Sequence, residues 1–285
     1  MVKEQQLNFR AFEVTVGIRV ANGNYLSHLA ERLENILPNG FELIEENNPD
    51  HLFLIKRKKN GDYQLFKDKK NVANSSSEAE FYGFVESELR LTIAEFAVSK
   101  VFLHAGVVAW KGKAIIIPGS SFSGKTTLVA ALIKKGALYY SDEYAVLDEN
   151  GNVHPFPKML SLRGIIDDFT QVDYTAESLG GEVGLEPIPV GMILLTEYDA
   201  AFKYDAAFKG TQNDLAKFEP ELLSEGQAIL EIIAQTIPIR NNPAFVLKVL
   251  YKLVNRAIIA RSKRGEAEKF SDLVLDFVEK KFIEL

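Results

Sequence analysis

Cysteine is missing altogether from this chain of 285 residues, and histidine occurs only four times. Without a thiol, the sequence excludes disulfide frameworks, thiolate metal sites, iron–sulfur clusters and a cysteine nucleophile. Basic residues are also in the minority, with 33 Lys and Arg against 39 Asp and Glu, which gives a net charge of −6. A protein that mainly coats nucleic acid or an anionic membrane is therefore not expected.

Long apolar runs are also lacking. No window approaches the roughly 20 apolar residues of a membrane helix, and residues 1–9 are polar and charged, unlike a signal peptide. The hydrophobic share of 47% and the charged share of 25% are typical of a folded globular protein and exclude collagen-like and disordered classes. We expect a cytoplasmic protein with neither membrane nor nucleic acid as a partner.

The length suits about two domains, and residues 1–75 predict a small α+β module at the N-terminus. Apolar residues alternate from Phe12 to Val20, which is typical of a half-buried strand, and recur at helical spacing from Leu26 to Ile36. A hairpin is predicted around Asn60-Gly61. The small polar residues of Asn71–Glu80 predict an exposed connection, so we place a domain boundary there.

Residues 76–220 predict a core of alternating strands and helices. An amphipathic helix spans Val85 to Phe96, and a second helix runs through Leu128 and Ile133 and is closed by Gly136. The predicted strands are Val101–Trp110, Ala114–Pro118, Ala137–Asp148, Val153–Phe156 and Val190–Thr196. Residues 199–218 show no clear period and are predicted to be irregular.

Residues 221–285 predict a helical C-terminal subdomain. Ser224 and Gln227 have the spacing of a capping box, and Pro243 suits the first position of a helix. A last helix carries Phe270 to Phe277 on its apolar stripe.

The most specific motif is Gly119-Ser120-Ser121-Phe122-Ser123-Gly124-Lys125-Thr126, which fits G-x-x-x-x-G-K-[ST] between a predicted strand and a predicted helix. Glycines let the backbone N–H groups and the helix N-terminus face phosphates. Lys125 would reach the β- and γ-phosphates, and Thr126 would offer its hydroxyl to Mg²⁺, with Thr127 as a second candidate. The sequence thus predicts a P-loop that binds ATP and Mg²⁺.

An acidic pair, Asp142 and Glu143, follows the apolar run after that helix. On a strand the two side chains would face opposite ways, so one could serve Mg²⁺ while the other caps, pairs with a cation or acts as a base. An acidic strand end exposed to water is the plainer interpretation. His104, at the end of an apolar stretch, is by itself typical of a core histidine bonded to backbone groups.

Taken in order, these segments resemble the catalytic domain of the HPr kinase/phosphorylase family, P-loop kinases that phosphorylate a serine of a carrier protein. The matching segments are His104-Ala105-Gly106, Gly119–Thr127 and Gly136–Glu143. The resemblance covers about residues 100–165. It implies an α/β fold with a P-loop kinase core of the HPr kinase/PEP carboxykinase-like type, flanked by the N-terminal module and the C-terminal helices.

The resemblance also implies site roles. His104 would assist catalysis, Lys125 would bind phosphate, Thr126 and Asp142 would hold Mg²⁺, and the acidic pair would supply the base. The family usually has a second aspartate as base, where this chain has Glu143, and Asp142 is the alternative. Ser161 replaces a metal-ligand glutamate of the family, and Asn241-Asn242-Pro243 departs from its arginine-rich segment, so phosphorylase activity is not predicted.

Three functions follow as hypotheses. The first is a kinase that transfers the γ-phosphoryl group of ATP to a serine of a protein or peptide, or to a small alcohol. Arg163, ahead of Arg240 and Arg264, would stabilise transition-state charge there. The second is a nucleotide-binding sensor that phosphorylates no acceptor, and the third is a carboxykinase-like enzyme, for which the sequence offers no histidine and lysine ligand set. The oligomeric state is left open, a homo-oligomer included.

Overall fold

The computed structural model describes residues 5–20, 25–38, 40–45, 48–120, 123–163, 171–199 and 220–284. By its internal contacts the chain divides into two compact units, Met1–Lys100 and Val101–Leu285. Each unit combines helices with a sheet, so the chain belongs to the mixed α/β class. Among the helices in these ranges, none has the length and apolarity to cross a membrane.

The N-terminal unit is a sheet with helices packed on it. Its elements are β1 (Gln5–Ala11), β2 (Val14–Val20), α1 (Tyr25–Ile36), β3 (Phe41–Leu43), β4 (His51–Arg57), β5 (Tyr63–Lys67), β6 (Lys70–Ser75) and α2 (Glu78–Phe96). The strand order is β3-β1-β2-β4-β5-β6. Val16 and Ile18 of β2 and Leu29 and Leu33 of α1 are fully buried. These four residues, which belong to the apolar patterns that predicted the strand and the helix, thus lie in the core of this unit.

The first hairpin differs from the prediction. Phe12 does not belong to a strand, because Phe12 and Glu13 form the tight turn between β1 and β2, with φ values of 48° and 64°. Such turns usually carry Asn-Gly or Asp-Gly, since most side chains disfavour positive φ. The sequence lacks that signal here, and β1 was therefore not predicted.

The connection predicted at residues 71–80 is a strand followed by a helix. β6 pairs with β5 across a turn at Asp68 and Lys69, whose φ values are 48° and 72°. Ser77 then caps α2 by accepting a hydrogen bond from the N–H of Glu80. The polar composition of this segment comes from an edge strand and a helix cap.

Helix α2 belongs to the N-terminal unit. The ring of Phe81 stacks on that of Tyr63 in β5, with centroids 5.1 Å apart, and the Tyr63 hydroxyl donates a hydrogen bond to Glu78. The division between the units therefore falls after Lys100, whereas the sequence placed a boundary after residue 75.

The second unit is built around a larger sheet. Its elements are β7 (Val101–Trp110), β8 (Lys113–Pro118), α3 (Lys125–Lys134), β9 (Leu138–Ser141), β10 (Tyr144–Leu147), β11 (Asn152–His154), β12 (Leu160–Leu162), β13 (Val172–Tyr174), a 3₁₀ turn (Glu177–Leu179), β14 (Ile188–Tyr198), β15 (Glu221–Leu222), α4 (Glu225–Ile233), a 3₁₀ turn (Ile237–Arg240), α5 (Pro243–Val254), β16 (Ile258–Arg264) and α6 (Ala267–Glu284). The sheet order is β11-β10-β7-β8-β14-β16-β15, with β9 also paired to β7 and β11 also paired to β14.

Strand direction gathers several loops at one edge of this sheet. β8, β14 and β16 are parallel neighbours. β9 is antiparallel to β7, and β7 is antiparallel to β8, so β9 runs in the same direction as β8. The carboxyl ends of all four strands meet at the same edge, which is where ligands bind in open α/β sheets.

The sheet of the second unit has a helix layer on each face. Ile115 and Ile117 of β8 share a core with α3 and α6, whereas Ala114 and Ile116 share a core with α4 and α5. Successive strand residues face opposite ways, and both faces of β8 are covered. This explains the continuous apolar run that predicted the strand.

Residues 221–285 are not purely helical. β16 lies in this segment, parallel to β14, and β15 pairs with β16 at the sheet edge. The capping box of Ser224 and Gln227 and the position of Pro243 at the start of α5 are confirmed. These helices cover the sheet of the second unit, so they form one body with the core. Residues 199–218 were predicted to be irregular, and all of them except Asp199 lie outside the described residues.

Candidate active site

A glycine loop, defined as residues 119–124, connects β8 to α3. Ser121 and Phe122 lie outside the described residues. Gly124 caps α3 in the left-handed conformation, with φ 79°, which favours glycine. A Cβ atom on Gly119 would lie 2.8 Å from Oγ of Ser123, so the Ser123 side chain would have to move to accommodate it.

Lys125, the first residue of α3, folds back over the glycine loop. Its Nζ atom donates hydrogen bonds to the carbonyl oxygens of Gly119, at 2.7 Å, and Ser120, at 2.8 Å. The side chain is 7% exposed. Burial lowers the pKa of Lys125, while the nearby carboxylates of Glu143 and Asp142 act to raise it.

The start of α3 offers further polar groups. Thr126 is half-buried and Thr127 is exposed. The Oγ atom of Ser123 is buried and has no hydrogen-bond partner among the residues that the structure describes. The first N–H groups of a helix lack partners within the helix, and their dipoles favour an anion. The segment is thus a donor-rich, positively polarised site.

The acidic pair occupies a turn rather than the interior of a strand. The predicted strand at residues 137–148 is divided into β9 and β10, with Asp142 and Glu143 between them. Ser141 closes this turn, because its Oγ accepts hydrogen bonds from the N–H groups of Glu143 and Tyr144, at 3.1 and 3.0 Å. The strict opposition of the two side chains expected on a strand does not apply here.

Asp142 is the buried member of the pair, at 7% exposure. The Tyr139 hydroxyl lies 3.2 Å from its Oδ1 atom, and the backbone N–H of Ser161 also donates to the carboxylate. Burial raises the pKa of Asp142. Lys158 acts to lower it and Glu143 to raise it further.

Glu143 is the accessible member of the pair. Its Oε2 atom lies 3.7 Å from Nζ of Lys158, and its side chain is 28% exposed. Lys158 is a site residue that sequence reasoning missed. It directly follows Pro157 and belongs to no motif, so only the folded chain brings it to the acidic turn.

His104 lies in β7 beside both the glycine loop and the acidic turn. Its carbonyl oxygen accepts a hydrogen bond from the Gly119 N–H at 3.3 Å, and its residue pairs with Tyr144 across the ladder to β10. Burial lowers the pKa of the half-buried imidazole, Lys125 lowers it further, and Glu143 acts to raise it. The imidazole is therefore neutral at pH 7.

Electrostatic coupling links four of the predicted site residues. Lys125 interacts with Asp142 and Glu143, and His104 interacts with Lys125 and Glu143. These residues come from the interior of β7, the start of α3 and the end of β9. The common direction of β8 and β9 brings the start of α3 and the acidic turn to one edge, and the antiparallel strand β7 places His104 there because its N-terminal half pairs with the end of β8.

Two other predicted positions contribute differently. Arg163 directly follows β12 and is exposed, and residues 164–170 lie outside the described residues. The Ser161 hydroxyl donates to Oδ1 of Asp173 at 2.7 Å across the β12–β13 pair. Ser161 thus contributes its backbone N–H to Asp142 and directs its side chain to Asp173.

Arg264 is the clearest contact of the glycine loop from outside the predicted motif. Its Nη2 atom donates to the carbonyl oxygens of Ser123, at 3.2 Å, and Gly124, at 3.0 Å. Sequence reasoning ranked Arg264 behind Arg163, and nothing in the sequence pairs it with a loop about 140 positions earlier.

The site offers few protein ligands for a metal. Within the described residues, no cluster of three or more His, Asp or Glu side chains could hold a metal ion. Thr126 and Asp142 are hard oxygen donors, as Mg²⁺ requires, and Mg²⁺ in phosphate sites commonly takes its other ligands from phosphate and water. The donor set is compatible with Mg²⁺ held jointly with a phosphate ligand.

No family model matches the chain, and no curated protein matches it. Among solved structures, it is similar to the HPr(Ser) kinase/phosphatase from Coxiella burnetii. The identity is 15%, the match covers 63% of this chain and 97% of that chain, and the TM-score is 0.36. A likeness of this size does not assign an activity, so the functional argument has to come from the site itself.

Proposed function

We propose that this chain is an ATP-dependent phosphotransferase that transfers the γ-phosphoryl group to a hydroxyl acceptor, with Mg²⁺. One observation carries the proposal. Lys125 lies at the junction of a glycine loop and a helix N-terminus, within electrostatic reach of His104, Asp142 and Glu143. Phosphoryl transfer needs positive charge around the phosphate oxygens and a group that takes the acceptor proton, and this set offers both.

The chain's own residues divide these tasks. Loop N–H groups and Lys125 bind phosphate oxygens, with Lys125 exchanging its bonds to Gly119 and Ser120 for bonds to the ligand. The hydroxyl of Ser123 and the neutral imidazole of His104 are further groups for orienting the phosphates. Thr126 and Asp142 would hold Mg²⁺, which when bound supplies positive charge to the phosphate oxygens.

Glu143 is the base in this proposal because its carboxylate is accessible, whereas Asp142 is buried. The acceptor hydroxyl gives its proton to Glu143 as its oxygen forms a bond to the γ-phosphorus. The bond from that phosphorus to the bridging oxygen breaks, and its electron pair leaves with ADP. Arg163 is proposed to add transition-state charge stabilisation.

The acceptor belongs to the same proposal: a serine of a protein or peptide, or a small alcohol. The test is to incubate the protein with γ-labelled ATP and an extract of its source organism and to identify the labelled species. Lys125→Ala should abolish labelling, and Lys134→Ala, an exposed lysine at the far end of the same helix, should leave it unchanged. Undiminished labelling by Lys125→Ala would refute the assignment.

A nucleotide-dependent sensor is the second candidate. It is favoured by Ser161, whose side chain bonds to Asp173 and adds no carboxylate to the acidic turn. In that case the wild-type protein would bind or hydrolyse ATP, and the extract would contain no labelled acceptor.

A further inference from the structure

Arg264 ends strand β16 and is buried, at 3% exposure, against the outside of the glycine loop. One nitrogen, Nη2, donates to the carbonyl oxygens of Ser123 and Gly124, and the other, Nη1, donates to the carbonyl oxygen of Gly265 at 3.2 Å. A planar guanidinium suits this arrangement, because its donors have fixed directions and can hold several acceptors at once.

The approach of Arg264 depends on the absence of a side chain at Gly124. A Cβ atom on Gly124 would lie 2.2 Å from Nη2 of Arg264, closer than any non-bonded contact allows. Gly124 is thus required both for its left-handed backbone and for the space that the guanidinium occupies. A motif glycine and a distant arginine form one packed unit.

Neighbouring strands hold Arg264 in position. It lies opposite Tyr198 in the β14–β16 ladder, and the carbonyl oxygen of Arg264 accepts a hydrogen bond from the Asp199 N–H at 2.9 Å. The guanidinium carbon lies 5.4 Å from the ring centroid of Tyr198, whose hydroxyl donates to Glu266 at 3.0 Å. This frame orders the side chain before any ligand arrives.

The hydrogen bonds from Arg264 to the two carbonyl oxygens also affect the N–H groups of the same peptide planes. In a trans peptide the C=O of one residue and the N–H of the next point in opposite directions. By holding the carbonyl of Ser123, Arg264 fixes the direction of the Gly124 N–H group. The Gly124 carbonyl also accepts a hydrogen bond from the Leu128 N–H at 3.1 Å, so Arg264 and helix α3 together fix the direction of the Lys125 N–H group. Those N–H groups open the N-terminus of α3, where an anion would bind.

We propose that Arg264 is a positioning residue that sets Ser123, Gly124 and the N-terminus of α3 for the phosphates of a nucleoside triphosphate. The ligand in this statement rests on the proposed function, whereas the ordering of the loop does not. Arg264 acts through the backbone of Ser123 and Gly124, on the side of those peptides away from their N–H groups.

The test compares Arg264→Met, Arg264→Lys and a control, Arg261→Met. Arg261 lies on the same strand, but its side chain is 42% exposed and pairs with Glu221 and Glu231. Two quantities are measured on the full chain: the Kd for MgATP by calorimetry, and the hydrogen exchange, without nucleotide, of the Ser123 and Leu128 amides, which donate to the carbonyl oxygens of Ser120 and Gly124. Exchange reports local opening, which a general loss of stability would not confine to the loop.

Arg264→Met should raise the Kd at least tenfold and speed exchange of the Ser123 and Leu128 amides at least tenfold, with exchange in β8 and β14 unchanged. Arg264→Lys should recover part of both effects, because one ammonium group replaces two nitrogens of a fork. Arg261→Met should stay within twofold of wild type. Unchanged loop exchange in Arg264→Met, or exchange that rises equally throughout the sheet, would overturn the proposal.

The test still gives an answer if Arg264→Met does not fold or if the wild-type protein does not bind MgATP. If Arg264→Met does not fold, Arg264→Lys decides: wild-type exchange at the loop counts against the proposal, and faster exchange confined to the loop supports it. If the wild-type protein does not bind MgATP, the proposed function fails, and loop exchange alone still decides whether Arg264 orders the loop.

Discussion

The Tyr139 hydroxyl oxygen lies 3.2 Å from Oδ1 of Asp142 and 2.5 Å from the carbonyl oxygen of Lys158. One hydroxyl hydrogen therefore faces two acceptors, in a place where the tyrosine is almost completely buried. Burial raises the pKa of Tyr139 well above its usual value, and Asp142 raises it further, so the group stays a phenol. Tyr139 thus links the acidic turn to the segment that carries Lys158.

Replacing Tyr139 with Phe should raise the pKa of Asp142 above its already raised value, because the hydroxyl favours the ionised carboxylate. It should also destabilise the protein by about 1–3 kcal/mol, as expected when buried acceptors lose their donor. Carboxyl carbon NMR titration and chemical denaturation measure the two effects. A fall in the pKa would mean that Tyr139 instead accepts a hydrogen bond from protonated Asp142.

Asp142→Asn should stabilise the protein at neutral pH while reducing phosphoryl transfer. Because burial raises the pKa of Asp142 in the folded state, that state holds its proton more tightly than the unfolded state does. The wild-type protein therefore loses stability as the pH rises from the ordinary pKa of 3.8 through the raised pKa of Asp142. Asn at this position does not ionise and avoids this loss. Thermal unfolding from pH 3 to pH 8 should show a gap between variant and wild type that grows with pH.

Asp148→Asn is the matched control, because the pKa of Asp148 is shifted in the opposite direction to that of Asp142. Burial acts to raise the pKa of Asp148, but hydrogen bonds from the N–H groups of Asn152 and Asn150 and from His154 outweigh it, and the pKa is lowered. This carboxylate stabilises the protein above pH 3.8 and loses that effect as pH falls through the lowered value. The substitution should destabilise at pH 7 by about 1 kcal/mol and have little effect in strong acid.

The sequence predicted the parts of this site that depend on local backbone chemistry. The glycine loop needs glycines at fixed positions before Lys125, and the flanking strand and helix have clear periodicity, so β8 and α3 agree with expectation. The chemical roles of these residues stay predictions. The acidic pair was predicted to lie within a strand over residues 137–148, and the break between β9 and β10, which carries no glycine or proline, was not foreseen.

The contacts that depend on distant pairing could not be predicted. The short apolar run of Ile258, Ile259 and Ala260 fits a helix as well as a strand, and only its position beside β14 decides for a strand. Arg264 contacts the glycine loop because it lies on β16, a strand in the segment that the sequence had assigned to a helical subdomain. Lys158 was missed for the same reason, since its partner is defined by the fold.

Glu143→Gln should reduce turnover by about 10²–10⁴-fold, the usual contribution of a general base, with little change in the Kd for MgATP. The amide keeps the size of the side chain and removes only its ability to take a proton. Glu149→Gln, an exposed position in the next turn of the chain, is the control and should leave both quantities unchanged. If the Glu143 variant keeps wild-type turnover, the base is Asp142 or lies elsewhere.

Gly106→Ala should push helix α3 away from the sheet, because a Cβ atom at this position of β7 would lie 2.6 Å from Cγ2 of Val129. We expect a loss of about 1–3 kcal/mol from overpacking, together with weaker binding of MgATP, since α3 begins at Lys125. Val129→Ala removes the methyl groups that clash, and in the double variant it should restore part of the stability and affinity. A double-mutant cycle on the free energy of unfolding measures this coupling. Strictly additive effects would show that the glycine is not needed for the approach of α3.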